Sequence, residues 1–280
     1  MQVAIDGERC AGRVALVTGA SRGIGAAMAR RLAAEGAVVA CAARTVEPDS
    51  RYEGTLTETV AAIVGAGGRA QAFQVDLSDA DDRARLIDDV AGSLGPVDIL
   101  VNNAAVTFFL PFDTFPEKRF RLMVEVQLWA SIDLAQRVIP GMRAAGGGAI
   151  LNISSRGGEK TPGPPWDDFY SKGNSSVYGM IKSGLDRLSI SMAAELHDDG
   201  IVVNSLAPWA NVATPGAGDH DLTEGYQLEP VEYMAQAALE LCARDHSPLT
   251  GRVTYSQPLL SELGLVPRAL DGSPFAAGRG

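Results

Sequence analysis

Short apolar runs recur along this chain, each followed by a longer stretch of helix-forming composition. The first run, Arg13-Val-Ala-Leu-Val-Thr18, is rich in valine, is closed by glycines and leads into Ala26-Ala-Met-Ala-Arg-Arg-Leu-Ala-Ala-Glu35. That sequence predicts a strand turning into a helix. Further apolar runs begin near Ala37, Ala70, Val97, Ala149, Ile201 and Arg252, and helical segments fall near residues 56–65, 79–92, 116–144, 177–197 and 230–243. Strict alternation of this kind predicts an α/β fold, a mostly parallel sheet of about seven strands covered by helices on both faces. Gly36, Gly65 to Gly68, Gly146 to Gly148 and Gly200 stand just past helical segments, where a left-handed cap favours a residue without Cβ.

Two stretches break the rhythm. Residues 156–176 and 207–229 are long, polar and Pro/Gly-containing, the signature of binding loops or lids in a compact domain. The tail from about Ser261 to Gly280 is expected to be partly mobile. With 280 residues and 46% hydrophobic content the chain can bury one sizeable core, so residues 1–280 are expected to form a single domain. A net charge of -10 disfavours nucleic acid and anionic membrane as partners, and the longest apolar runs fall far short of a membrane span. A cytoplasmic location is expected. Cys10, Cys41 and Cys242 are odd in number and widely spaced, and His197, His220 and His246 show no ligand spacing, so neither a disulfide framework nor a metal site is expected.

Candidate chemistry begins with Tyr178 and Lys182, four residues apart and therefore stacked on one helix face. Bringing a phenol from a pKa of about 10 to about 7 takes roughly 4 kcal/mol of preference for the phenolate. One ammonium about 4 Å away supplies that order of energy at an effective dielectric of about 20. Upstream, Thr18-Gly-Ala-Ser-Arg-Gly-Ile-Gly25 joins the first strand to the first helix. Its glycines permit a tight turn and close backbone approach, and the helix start offers N–H groups to a pyrophosphate. The spacing Gly19, Gly23, Gly25 is not the common G-x-G-x-x-G. The second strand ends Cys41-Ala-Ala-Arg44. An acidic residue there would bind the adenosine ribose hydroxyls, whereas Arg44, with Arg22, suits a 2′-phosphate and points to NADP(H) over NAD(H).

These residues, with Val75-Asp76-Leu77, Asn102-Asn-Ala-Ala105 and Ile150-Leu-Asn-Ile-Ser-Ser155, occur in an order that resembles the short-chain dehydrogenase/reductase family over roughly residues 10–256. The resemblance implies a doubly wound Rossmann fold, a nicotinamide cofactor and a homodimer or homotetramer built on the long helices. It implies Tyr178 as general acid/base, Lys182 as the group that lowers its pKa and binds the nicotinamide ribose, and Ser155 as the holder of the substrate oxygen. Cofactor contacts are implied for Gly19, Ser21, Arg22, Gly23, Ile24, Gly25, Arg44, Asp76, Leu77, Asn102, Asn103, Ala104, Tyr178, Lys182, Pro208 and Thr214. Asn152 and Ser154 are expected to support the strand end.

Three departures stand out. Where the family has an asparagine that kinks the long helix and joins a water relay to the lysine, this chain has Gln127, in Val126-Gln-Leu-Trp-Ala130. Pro208-Trp209 replaces the family's Pro-Gly, and Trp209 is expected to narrow the nicotinamide side of the pocket. Ser155 and Tyr178 are separated by about ten residues more than is usual. Trp166, Phe169 and Tyr170, with Phe108, Phe109 and Phe112, are candidate walls of an apolar cleft. The leading expectation is an NADP(H)-dependent oxidoreductase that interconverts an alcohol and a ketone or aldehyde on a small, apolar substrate. Two alternatives stay open: a cofactor-binding regulatory or scaffolding protein of the same fold with little turnover, motivated by Gln127 and Trp209, and a non-redox lyase or epimerase.

Overall fold

The computed structural model describes residues 8–48, 53–166, 171–212, 228–243 and 249–275. The apolar runs become strands β1 (Val14–Thr18), β2 (Val38–Ala43), β3 (Arg69–Gln74), β4 (Ile99–Asn102), β5 (Gly148–Ile153), β6 (Ile201–Ala207) and β9 (Val253–Tyr255), a parallel sheet in the order β3-β2-β1-β4-β5-β6-β9. Between β6 and β9 lies a two-residue parallel pair that hydropathy did not predict, β7 (Asn211–Val212) with β8 (Leu228–Glu229). Helices α1 (Gly23–Ala34), α2 (Leu56–Gly65), α3 (Ala80–Leu94), α4 (Glu117–Val124), α5 (Ala130–Ala144), α6 (Ser176–Glu195), α7 (Val231–Cys242) and α8 (Ser256–Leu263) cover the two faces.

Each central strand is apolar at nearly every position because both its faces are buried. In β1, Ala15 and Val17 join the core under α1, α2 and α7, whereas Val14 and Leu16 join the core under α3 and α5. In β4, Ile99 and Val101 divide from Leu100 in the same way. The period-2 alternation thus survives, with both phases apolar. A polar network ties α1 to α7: Arg31 Nε donates to Gln236 Oε1 at 3.0 Å, Gln236 Nε2 to Glu240 Oε1 at 2.7 Å, and the Arg9 guanidinium grips both Glu240 oxygens at 2.8 and 2.9 Å.

The helix expected over 116–144 is not continuous. Between α4 and α5 the chain winds through a five-residue π segment, Glu125–Trp129, centred on Gln127. Such a bulge re-aims one side of a helix and kinks it, so the bend expected of an asparagine at this place occurs with glutamine. The helix expected over 177–197 runs as α6, followed by a 3-10 turn, His197–Asp199, that Gly200 closes at φ 68°. The tail expected to begin mobile near Ser261 instead begins inside α8, and an isolated antiparallel bridge joins Arg268 to Pro274. Helix α8 forms because its Leu259 and Leu260 bury against the core that α1 and α7 share.

Leu16 is fully buried, whereas Phe112 is 76% exposed. Leu16→Ala is expected to lower the unfolding free energy in a urea titration by about 2–5 kcal/mol. Phe112→Ala should stay within about 0.5 kcal/mol of the parent chain.

Candidate active site

The strand order reverses direction between β1 and β4, and there the loops leaving the two strands part to opposite faces of the sheet. A crevice at the carboxyl ends of strands is where such sheets take ligands. Thr18 closes its floor. Its Oγ1 donates to Val101 O at 3.2 Å and accepts from the backbone N–H groups of Asn103 and Ala104 at 2.9 and 3.1 Å. The Asn103 amide returns the tie, Nδ2 donating to Thr18 O at 2.8 Å.

The turn between β1 and α1 is packed as closely as backbone allows. A Cβ on Gly25 would stand 2.3 Å from Gly19 O, and one on Gly19, which sits at φ 66°, would stand 2.8 Å from Asn103 Nδ2. Helix α1 starts at Gly23 with no side-chain cap, so its first N–H groups face outward as a pyrophosphate would require. Ser21 is buried, and Ile24 packs against the core. Arg22 Nη2 donates to Thr45 Oγ1 at 3.0 Å, which brings it beside the end of β2, where Arg44 is exposed and Ala43 leaves no competing carboxylate. The turn fits a dinucleotide pyrophosphate, and Arg22 and Arg44 stand together at the end of β2. Asp76 Oδ1 is engaged by the N–H and Oγ of Ser78 at 2.9 and 2.7 Å, which fixes the loop after β3, and Leu77 is buried beside it.

Ser155, Tyr178 and Lys182 come together at the end of β5. Ser155 is extended, at φ -159°, and heads the 3-10 turn Arg156–Gly158; its Oγ accepts from Gly157 N–H at 3.1 Å and is hydrogen-bonded to the Tyr178 phenol. Burial holds that phenol above the ordinary tyrosine range, and the Ser155 bond offsets part of the shift. Lys182 is 3% exposed, its Nζ donating to Ile153 O at 2.8 Å and lying 5.7 Å from the centre of the Tyr178 ring. Burial pushes its ammonium down to about 8, against the opposing pull of the Asp186 carboxylate. Gly179 makes this approach possible, because a Cβ there would stand 2.6 Å from Gly157 O.

The other expected residues divide. Gln127 is buried under the site; its Nε2 donates to Val106 O at 2.7 Å, and its Oε1 has no hydrogen-bond partner among the described residues. Asn102 turns into the protein rather than toward the adenosine side, donating to Asn152 Oδ1 at 2.9 Å, because a residue opposite Asn152 in a buried strand pair meets its neighbour instead of the crevice. Asn152 in turn donates to Ser189 Oγ at 2.9 Å, the supporting role expected of it. Phe109 meets Tyr178 edge to face at 5.5 Å, and Phe108 lies with Val106, Phe115 and Leu128 in the same small apolar cluster. Phe112 and Trp166 point to solvent. Pro208 is half-buried, and Trp209 stacks edge to face on Tyr255 at 5.9 Å under the Arg156 guanidinium, 4.9 Å from the ring centre. Phe169, Tyr170 and Thr214 lie outside the described residues. Sequence reasoning missed Asp186, whose signal was present: a carboxylate four residues beyond Lys182 on one helix. Among the described residues no cluster of histidine, cysteine and acidic side chains is arranged to hold a metal ion.

A family model described as short chain dehydrogenase matches residues 13–224. The chain is 33% identical over 256 residues to 3beta-hydroxysteroid dehydrogenase 1 of Eggerthella lenta, covering 87% of this chain and 92% of that protein. It is 31% identical over 258 residues to hydroxysteroid dehydrogenase-like protein 2 of Danio rerio, covering 92% of this chain but spanning only 60% of that longer relative. Among solved structures, a metagenomic short-chain oxidoreductase in complex with NADP superposes with a TM-score of 0.72 at 31% identity, covering 88% of this chain and 98% of that one. The motif order, the seven-stranded parallel sheet and these matches agree, and the chain belongs to the short-chain dehydrogenase/reductase family.

Proposed function

We propose that the chain is an NADP(H)-dependent oxidoreductase that interconverts an alcohol and a ketone or aldehyde on a small, apolar substrate. The observation that carries this reading is the Ser155–Tyr178 hydroxyl pair with Lys182 beneath it, at the strand ends where the cofactor turn also opens. The nicotinamide, when bound, supplies or accepts the hydride. Ser155 holds the substrate oxygen, and Tyr178 gives it a proton in reduction or takes one in oxidation. Burial holds the phenol above its ordinary range, so it is protonated at neutral pH and needs the neighbouring positive charge to give up its proton in either direction. Lys182 keeps a positive charge below the phenol and stabilises it when the proton has left. Arg22 and Arg44 are assigned the 2′-phosphate, with Asp76, Leu77, Asn103 and Ala104 around the adenosine. The NADP-bound relative supports that choice.

An apolar substrate is supported by Phe109 against the Tyr178 ring and by Phe108, Phe115 and Leu128 in the apolar cluster that Tyr178 joins, and the hydroxysteroid names of two relatives point the same way. Cys41 and Cys242 are free, buried thiols, as suits a reducing compartment such as the cytoplasm, and no helix among the described residues is long and apolar enough to cross a membrane. Exposed Phe120, Trp129, Met180 and Ile190 on the helices from α4 to α6 suit a homodimer or homotetramer.

Tyr178→Phe is expected to cut turnover on hydrophobic carbonyls by about 100-fold or more while NADPH binding, read by fluorescence, stays intact. Unchanged turnover would remove the proton-transfer role. Arg44→Asp should raise the NADPH Kd by at least about tenfold and leave that for NADH nearly alone, since one charge-assisted bond is worth about 1.5–3 kcal/mol. Equal effects on the two cofactors would exclude the phosphate contact. Light scattering should give a mass of two or four chains, and a monomer at micromolar concentration would rule out the assembly.

A further inference from the structure

Lys182 is buried and cationic, and among the described residues its ammonium donates to the Ile153 carbonyl. An ammonium has three donors and no acceptor capacity, and removing it from water is costly unless a counter-charge stands near. Gln127 does not offer one, since its amide nitrogen is spent on Val106 O and only a neutral oxygen remains. One turn further along α6 stands Asp186, on the same face as Lys182 and Tyr178.

The surroundings of Asp186 are built rather than incidental. Ser205 Oγ, from β6, donates to its Oδ1 at 2.5 Å. Its Oδ2 faces Gly158, where a Cβ would come within 3.1 Å of that oxygen and 3.0 Å of Lys182 C. Ser183 Oγ donates to Gly158 O at 2.5 Å and holds that turn against the helix. The other ionisable groups around the pair are Tyr178 on α6, Arg156 and Glu159 beyond β5, and Tyr255 at the end of β9. Arg156 is turned toward Glu159, at 3.4 Å, and toward Trp209 O, at 3.3 Å. Among these groups, Asp186 is the carboxylate one turn from the lysine on α6; burial raises its own pKa, against the hydrogen bond from Ser205.

We propose that Asp186 is a positioning residue of this site, the counter-charge that keeps the buried Lys182 ammonium protonated beneath Tyr178 in the role a neutral glutamine cannot fill. The proposal rests on the reading of Tyr178 and Lys182 as the reacting couple, but its physical core is a carboxylate placed one helical turn from a buried ammonium, which exists without turnover. The sign follows from burial. Desolvation lowers the lysine and the carboxylate raises it, so removing the carboxylate must let the lysine lose its proton at lower pH. In oxidation, where the phenolate and the ammonium must coexist, the alkaline limb of the kcat/KM profile would move down with it.

The test is an NMR titration of ε-13C-labelled lysine in the whole chain, made tractable by a total of four lysines. Lys118, Lys160 and Lys172 are exposed, and Lys182→Met identifies the buried signal. Native Lys182 should titrate near 8, and Asp186→Asn should lower that midpoint by about one unit or more, with Asp186→Glu restoring it. Ser205→Ala, which keeps the charge, should leave the midpoint close to native. Should Asp186→Asn not fold, the native Lys182 signal must still show a second, acid inflection where Asp186 takes up its proton. An unmoved midpoint, or no acid inflection, overturns the proposal. Because the titration needs no substrate, a chain that turns over nothing would sink the proposed function and leave this result standing. A uniform loss of activity in Asp186→Asn with the alkaline limb fixed would make Asp186 a packing residue.

Discussion

A threonine hydroxyl ties the two halves of the sheet together at the place where they part, just past the backbone ladder of β1 and β4. Thr18 Oγ1 is used three times, as donor to Val101 O and as acceptor from Asn103 and Ala104 N–H, and the residue is 1% exposed. The order continues sideways from β4 through polar side chains, Asn102 to Asn152, Asn152 to Ser189, and Ser189 Oγ to Leu185 O on α6. This chain of bonds runs from the turn between β1 and α1 to the helix that carries Tyr178 and Lys182. Buried polar groups are costly to leave unpaired, so each of these bonds constrains the next, although Asn102 Oδ1 has no partner among the described residues. The relative position of the phosphate turn and the phenol is therefore set inside the sheet, away from the long loops.

Charge is distributed unevenly over this acidic chain. With a net charge of -10, its few cationic positions near the crevice stand out, and they differ in how they are held. Arg44 is exposed and Arg22 half-buried, so their charges cost little to keep and are screened by salt. Lys182 is buried, so its charge is costly, unscreened and sensitive to every neighbouring dipole. The first pair suits recognition of an anion that arrives from water. The second suits control of a proton that never leaves the site.

Legibility in the sequence followed burial. Strands covered on both faces announced themselves as apolar runs, and the order of β1 to β6 with their helices was readable because each run had to be buried somewhere. The break at Glu125–Trp129 was not visible, since a π segment has the same apolar period as the helix around it over so few residues. The side chains of Asn102 and Asn103 were readable as polar but not as facing inward, which depends on strand partners far away in sequence. Trp209 was expected to crowd the nicotinamide. The partners of its ring, Tyr255 and Arg156, lie 46 and 53 positions away in the chain and were not legible. The i,i+4 placement of Lys182 and Asp186 was legible as a spacing, but nothing in a spacing tells a solvated ammonium from a buried one.

The turn Arg156–Gly158 has a consequence for how this chain came to carry its long segment between Ser155 and Tyr178. Both ends of that segment are pinned, at Gly157 and Gly158 against Gly179 and Ser183, so the distance between the serine and the tyrosine does not depend on what lies between them. Closing a flexible loop twice as long costs only about 0.6 kcal/mol in chain entropy. An extension of about ten residues is then close to free in stability and leaves the reacting groups undisturbed. New side chains for new substrates can be tried on such a segment at little risk to the chemistry beneath it, so the rim of the site is open to change while its floor is not.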